Sequence, residues 1–196
     1  QSDKPLLKNF KNINLDNVLI KKNISYTERF YKEYLNNNFK IIEIHNRPES
    51  LLYLIKKKVK GKLIFIFHNN PKEMRSSKSI KDRLFIAENT DQIYFVSNWV
   101  KNKFFEGLPY NYRNNCETLY PAIKPLKKFP KKEKIIIFSG KLNSSKGFDL
   151  FGKAVIKILD KFPQWRAIAI GNEPREKFSF KHKKFKILDW IKHDEI

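Results

Sequence analysis

The 196-residue sequence predicts an α/β fold with parallel sheets, divided into two lobes. Three observations lead there. Short apolar runs alternate with segments of helical period, the pattern of parallel strands joined by crossover helices. A segment with three prolines and six lysines, PAIKPLKKFPKKEK (121–134), interrupts the alternation and reads as a linker. After it, IIIFSGKLNSSKGFDLF (135–151) starts a new strand–turn–helix unit, with a glycine at the turn and lysines on either side of a polar loop.

The elements follow in order. Residues 1–24 show no clear period. SYTERFYKEYLNN (25–37) predicts a helix, with Ser25 as cap and Glu28 three residues on. FKIIEIH (39–45) reads as a buried strand, with Glu43 a satisfied buried carboxylate, and Pro48 opens a helix continued by ESLLYLIKKKV. KLIFIFH (62–68) is a second buried strand. SKSIKDRLFIAENT (77–90) is helical, with Leu84 and Ala87 on one face. QIYFVS (92–97) is a third strand, NWVKNKFFEG (98–107) a short helix and CETLYP (116–121) a fourth strand. Together they predict a parallel, doubly wound sheet. Beyond the linker come a strand at 135–138, a helix at 146–162 and strands at 166–171 and 185–190. The helix carries an apolar stripe of Phe148, Phe151, Val155, Ile158 and Phe162, and Pro163 ends it. The expected boundaries are a first lobe at 1–120, a linker at 121–134 and a second lobe at 135–196.

Composition narrows the class. No run of about 18 apolar residues is present, and QSDKPLLKNF lacks the apolar core of a signal peptide, so the chain reads as cytoplasmic. The single cysteine, Cys116, excludes an internal disulfide and reads as a half-buried hydrophobe. Lys and Arg outnumber Asp and Glu by 41 to 20, a formal charge of +21. Coding bias explains why the basic residues are mostly Lys. It leaves the excess over acids, which suits an anionic partner: phosphate, a membrane surface or nucleic acid. No groove-reading motif appears and the aromatics lie inside apolar strands, so nucleic acid is not expected.

Several residues carry candidate chemistry. Gly140, Lys141, Lys146 and Gly147 lie at a strand-to-helix turn, where helix amides and lysines attract phosphate. His68 ends a strand and faces a polar loop begun by Asn69, Asn70 and Pro71. His45, Asn46 and Arg47 have the same setting one strand earlier. Ser97 reads as a helix cap, since no Gly-x-Ser-x-Gly elbow surrounds it. Lys72 and Arg75 add positive charge nearby. His182 and His193 read as exposed, and no metal-ligand spacing joins the four histidines.

Six segments in order complete the picture: EIHNRPE (43–49), IFHNNPKEMR (66–75), IYFVSNWVKNKF (93–104), LYPAIK (119–124), FSGKLNSSKGFDLF (138–151) and WRAIAIGNEP (165–174). Over residues 39–196 the chain resembles the retaining glycosyltransferases of family 4 (group 1), most closely those that build lipopolysaccharide or capsule sugars. The resemblance implies a GT-B fold of two Rossmann-like parallel-sheet lobes, both incomplete in this chain. It implies transfer of a sugar, with retention, from a nucleotide-diphosphate donor to a glycan or lipid-linked acceptor. It implies no metal and no cofactor beyond the donor substrate. Lys141 stands where the family has Arg, and with Lys146 it would hold the donor diphosphate between Gly140 and Gly147. His68 would touch the transferred sugar, with His45, Asn46, Arg47, Asn69 and Ser97 on the acceptor side. Gly171-Asn172-Glu173-Pro174 matches a nucleotide loop whose second glycine has become Glu173. The family's glycine-rich acceptor loop and its paired glutamates are absent, so the chain reads as an internal fragment, inactive alone. The charge excess extends the expectation to peripheral contact with an anionic membrane. The alternative is a basic nucleic-acid or membrane-surface module without catalysis.

Overall fold

A computed structural model describes residues 23–37, 39–109, 114–123 and 131–192. The chain divides into two compact units, 1–124 and 125–196. Residues 124–130 of the expected linker lie outside the described residues, as does His193.

In the first unit the elements run α1 (Asn23–Leu35), β1 (Ile41–His45), α2 (Pro48–Lys56), β2 (Lys62–Phe67), α3 (Ile80–Glu88), β3 (Gln92–Phe95), α4 (Asn98–Phe105) and β4 (Cys116–Thr118). The first helix begins two residues before Ser25, so Ser25 is not its cap. Pro48 occupies the start of α2, where its missing N–H costs nothing. Ser79 and Asp82 form a reciprocal capping box on α3. The four strands are parallel in the order β1-β2-β3-β4. Right-handed crossovers between consecutive strands place their helices on one face. Leu51 of α2, Ile86 of α3 and Phe104 of α4 accordingly share one core with Phe65, Phe67 and Phe95. The expected double winding needs a reversal of strand order, and the described strands contain none. On the opposite face of β1, Ile41, Glu43 and His45 are exposed. Glu43 is therefore not the buried carboxylate the flanking isoleucines suggested: strand alternation turns it away from Ile42 and Ile44.

Arg83 is a buried charge in the first unit. It is 1 % exposed. Its guanidinium donates to the carbonyls of Phe104 (2.7 Å), Lys78 (2.6 Å), Ser77 (3.4 Å) and Glu106 (2.7 Å), which ties the start of α3 to the end of α4. Cys116 is fully buried, and burial pushes its thiol up to about 12.

The second unit runs β5 (Ile135–Ser139), a 3₁₀ turn (Ser144–Lys146), α5 (Phe148–Lys161), β6 (Arg166–Ile170) and β7 (Phe185–Leu188). Its strands are parallel in the order β5-β6-β7. The buried residues of α5 are Phe148, Gly152, Val155 and Leu159; Ile158 and Phe162 are exposed, contrary to the expected stripe. Gly152 makes the difference. A Cβ there would lie 2.2 Å from the Phe180 ring, so the glycine lets Phe180 reach the helix. His182 is half-buried rather than exposed, with Nε2 3.5 Å from Asp160 Oδ1. In each sheet the strands are parallel, so the loops that follow them collect at one edge.

Candidate functional site

At that edge of the second unit, two glycines touch through their backbones. Gly140 has φ +150° and Gly171 has φ +147°. A Cβ on Gly171 would sit 1.8 Å from the Gly140 carbonyl oxygen. Gly140 N donates to Ile170 O (3.0 Å) and Gly171 N to Leu188 O (3.2 Å). The loop from β5 to α5 is organised by buried Asn143. Its Oδ1 accepts from Lys146 N (3.1 Å) and Ser145 Oγ (3.0 Å), and its carbonyl accepts from Phe148 N (3.1 Å). Gly147, at φ +74°, links the 3₁₀ turn to α5 in a conformation that favours glycine.

The acids around this loop are already engaged. Glu173 is buried and receives a fork from Arg175, Nε at 2.7 Å and Nη2 at 2.9 Å, with Asn143 Nδ2 at 3.4 Å. The Arg175 hydrogen bonds hold its carboxyl down at about 2. Glu176 Oε2 accepts from Ser144 N (3.0 Å) and Ser144 Oγ (2.7 Å), so the first amide of the 3₁₀ turn is taken. Lys141 and Lys146 are exposed, and their ammonium groups have no partner among the described residues. They are the groups left to meet an anion here. Glu173, expected beside a nucleotide, points inward and braces the Asn143 loop. Asn172 Nδ2 donates to Asp189 Oδ1 (2.7 Å), which joins the loops after β6 and β7. Pro174 is exposed beside them.

In the first unit, Asn46 holds the site together. Its φ is +53°, a left-handed conformation that Asn tolerates. Its Oδ1 accepts from His68 N and Asn69 N, both at 3.1 Å, and its N donates to Ile66 O at 2.8 Å. Asn70 Oδ1 accepts from Lys72 N (3.1 Å) while its Nδ2 donates to Glu73 (2.8 Å). His68 Nε2 lies 3.0 Å from His45 Nδ1, and His45 Nε2 bonds Glu43 Oε1. Burial, and then the neighbouring His45, hold His68 below the ordinary histidine value. Ser97 Oγ accepts from Val100 N (3.2 Å), so Ser97 caps α4. Arg47 stands at the head of α2, its carbonyl accepting from Ser50 N and Leu51 N.

A concavity of about 610 Å³ opens in this unit, lined by His68, Asn69, Asn70, Ser97 and Trp99 among others. The two cations expected at its rim are committed. Lys72 binds Glu106 Oε2 (2.5 Å), shared with Lys103, and the two hydrogen bonds hold Glu106 at about 2. Arg75 pairs with Glu49 at 2.9 Å. Trp99, 56 % exposed, was not singled out by its sequence, because an apolar residue in a helix reads first as core. The Glu43–His45 link had a signal: two residues apart on a strand share a face. Among the described residues, no three metal-ligating side chains converge, and no helix is long and apolar enough to cross a membrane.

Residues 120–192 match the family Glycosyl transferases group 1. No curated protein matches the chain. Solved structures share its fold. The crystal structure of TarM is 16% identical, with a TM-score of 0.57, over 84% of this chain and 36% of that one. HepE of Anabaena in complex with UDP-glucose is 11% identical, with a TM-score of 0.62, over 85% of this chain and 52% of that one. UDP-N-acetylglucosamine 2-epimerase of Rickettsia bellii is 11% identical, with a TM-score of 0.53, over 87% and 52%. The chain thus spans about a third to a half of these proteins. Its architecture is α/β with parallel sheets, matching GT-B glycosyltransferases.

Proposed function

We propose that this chain is part of a glycosyltransferase that moves a sugar from a nucleotide-diphosphate donor to a glycan or lipid-linked acceptor. Retention at the anomeric carbon, a role in cell-envelope polysaccharide synthesis and a cytoplasmic site at an anionic membrane belong to the same proposal. One observation carries it: within the segment that matches Glycosyl transferases group 1, Lys141 and Lys146 are ammonium groups on the loop after β5 with no partner among the described residues. As the donor bond breaks, charge builds on the departing diphosphate. Fixed cations there lower the barrier by meeting that charge where it develops. Lysine supplies the charge without the two-pronged grip of arginine. In the first unit, His68 offers a ring nitrogen to a sugar hydroxyl, and Asn46 holds its loop.

The test is Lys146→Ala in the protein that contains this chain, assayed with a panel of nucleotide-diphosphate sugars. Removing one group that stabilises developing charge costs on the order of 10²–10³ in kcat. Lys146 is exposed and has no partner among the described residues, so the unfolding free energy moves by less than about 0.5 kcal/mol. An unchanged transfer rate overturns the proposal. Salt-sensitive binding of random oligonucleotides, indifferent to nucleotide-sugars, would favour a nucleic-acid module instead.

A further inference from the structure

Glu43, His45 and His68 form a chain of side chains across the ends of β1 and β2. Glu43 and His45 are about half exposed, 51% and 52% by side chain. A carboxylate only accepts, so His45 Nε2 carries a proton toward Glu43. The other nitrogen of His45 then meets His68 Nε2 at 3.0 Å. While His45 is neutral, its Nδ1 is an acceptor and His68 Nε2 must donate. His68 Nδ1 is then left with a lone pair. That nitrogen has no partner among the described residues, and His68 lines the concavity.

We propose that Glu43 and His45 are positioning residues that set which hydrogen-bonding role His68 offers to a ligand. With the pair neutral, His68 Nδ1 accepts a hydroxyl proton. When one proton is added from solvent at His68 Nδ1, the Nε2 proton passes to His45 Nδ1. His45 becomes the cation beside Glu43, and His68 stays neutral but now donates from Nδ1. The other charged groups that follow these strand ends are Arg47 and Glu49 at the head of α2, and Lys72, Glu73 and Arg75 after β2. Glu49 is paired with Arg75, Glu73 is bonded by Asn70, and Lys72 is paired with Glu106. No charged residue stands at Val96, Ser97 or Asn98 after β3. Glu43 is thus the carboxylate bonded to the pair.

What enters the concavity rests on the glycosyl-transfer proposal, but the relay itself does not need a ligand. The experiment is a pH titration of the ¹⁵N-histidine-labelled 196-residue chain, ligand-free, followed by ring-nitrogen NMR with His68→Asn for assignment. At alkaline pH His68 should be Nε2-protonated. As His45 becomes a cation, His68 should change to the Nδ1-protonated tautomer while remaining neutral. Glu43→Gln should move that change to lower pH, and His45→Phe should abolish it. Both side chains are about half exposed, so these variants keep the fold. Two results overturn the relay: a His68 that keeps one tautomer until it protonates by itself, or a titration indifferent to Glu43→Gln. Failure of sugar transfer with the tautomer change intact would instead count against the proposed function.

Discussion

Replacing Gly171 by alanine tests the backbone contact on which the second-unit site is built. Two costs add. At φ +147° an L-residue is strained, a penalty of about 1–3 kcal/mol. The new Cβ would also meet the Gly140 carbonyl oxygen at 1.8 Å, so backbone must shift, at the roughly 1–3 kcal/mol typical of overpacking. Gly140→Ala is the internal comparison. Its φ is +150°, but an added Cβ meets nothing within 4 Å, so it bears the first cost alone. Gly171→Ala should therefore be less stable than Gly140→Ala by about 1–3 kcal/mol, the second cost. Urea unfolding followed by tryptophan fluorescence reads this, since Trp165 packs against the second core. The shift also moves the residue before Lys141, so under the proposed function nucleotide-diphosphate binding by calorimetry should weaken in Gly171→Ala. Equal midpoints for the two variants would refute the contact.

Two further outcomes follow from titration. Glu173 is depressed in the folded state to about 2 from an ordinary 4.5. Its contribution to stability is thus complete above about 4.5 and fades as pH falls through about 2. Glu173→Gln should flatten the acid limb of the pH–stability curve in that window, and an unchanged limb would count against the Arg175 fork. The Cys116 thiol, raised to about 12, should resist a thiol reagent at pH near 8 in the folded chain and react on unfolding in urea. Rapid labelling without denaturant would contradict its burial.

The strands were legible because their apolar runs are short and continuous. Their ends were not. The third strand was expected to reach Ser97 and the fourth Pro121, yet the ladder closes at Phe95 and Thr118. Val96 and Tyr120 continue the apolar pattern, while pairing depends on the partner strand. The α5 stripe was misread because its packing depends on Phe180, 28 positions beyond Gly152. Arg83 shows the same limit. Nothing adjacent to it marks a buried guanidinium, since two of its four carbonyl partners, on Phe104 and Glu106, lie far along the chain. At the candidate site, residue types at strand ends singled out the loops after β1, β2, β5 and β6. Which of them are committed to one another had to come from tertiary structure: Glu173 with Arg175, Lys72 with Glu106, His45 with His68.

Those commitments decide how the charge of +21 is to be read. Salt screens exposed charges beyond about 8 Å under physiological conditions, so a distant excess of lysines does little at any one loop. What acts on a ligand is the local balance. Around the first-unit concavity, Lys72, Lys103 and Arg75 each have a carboxylate partner. On the loop after β5 the acids face other groups: Glu173 is taken by Arg175, and Glu176 by Ser144. Lys141 and Lys146 have no carboxylate partner among the described residues, on a loop whose shape is fixed by Asn143 and by the Gly140–Gly171 contact. A loop held by these hydrogen bonds would lose little order when an anion arrives, so under the proposed function the attraction of its two cations for a diphosphate would not be offset by broken ion pairs or by newly frozen backbone.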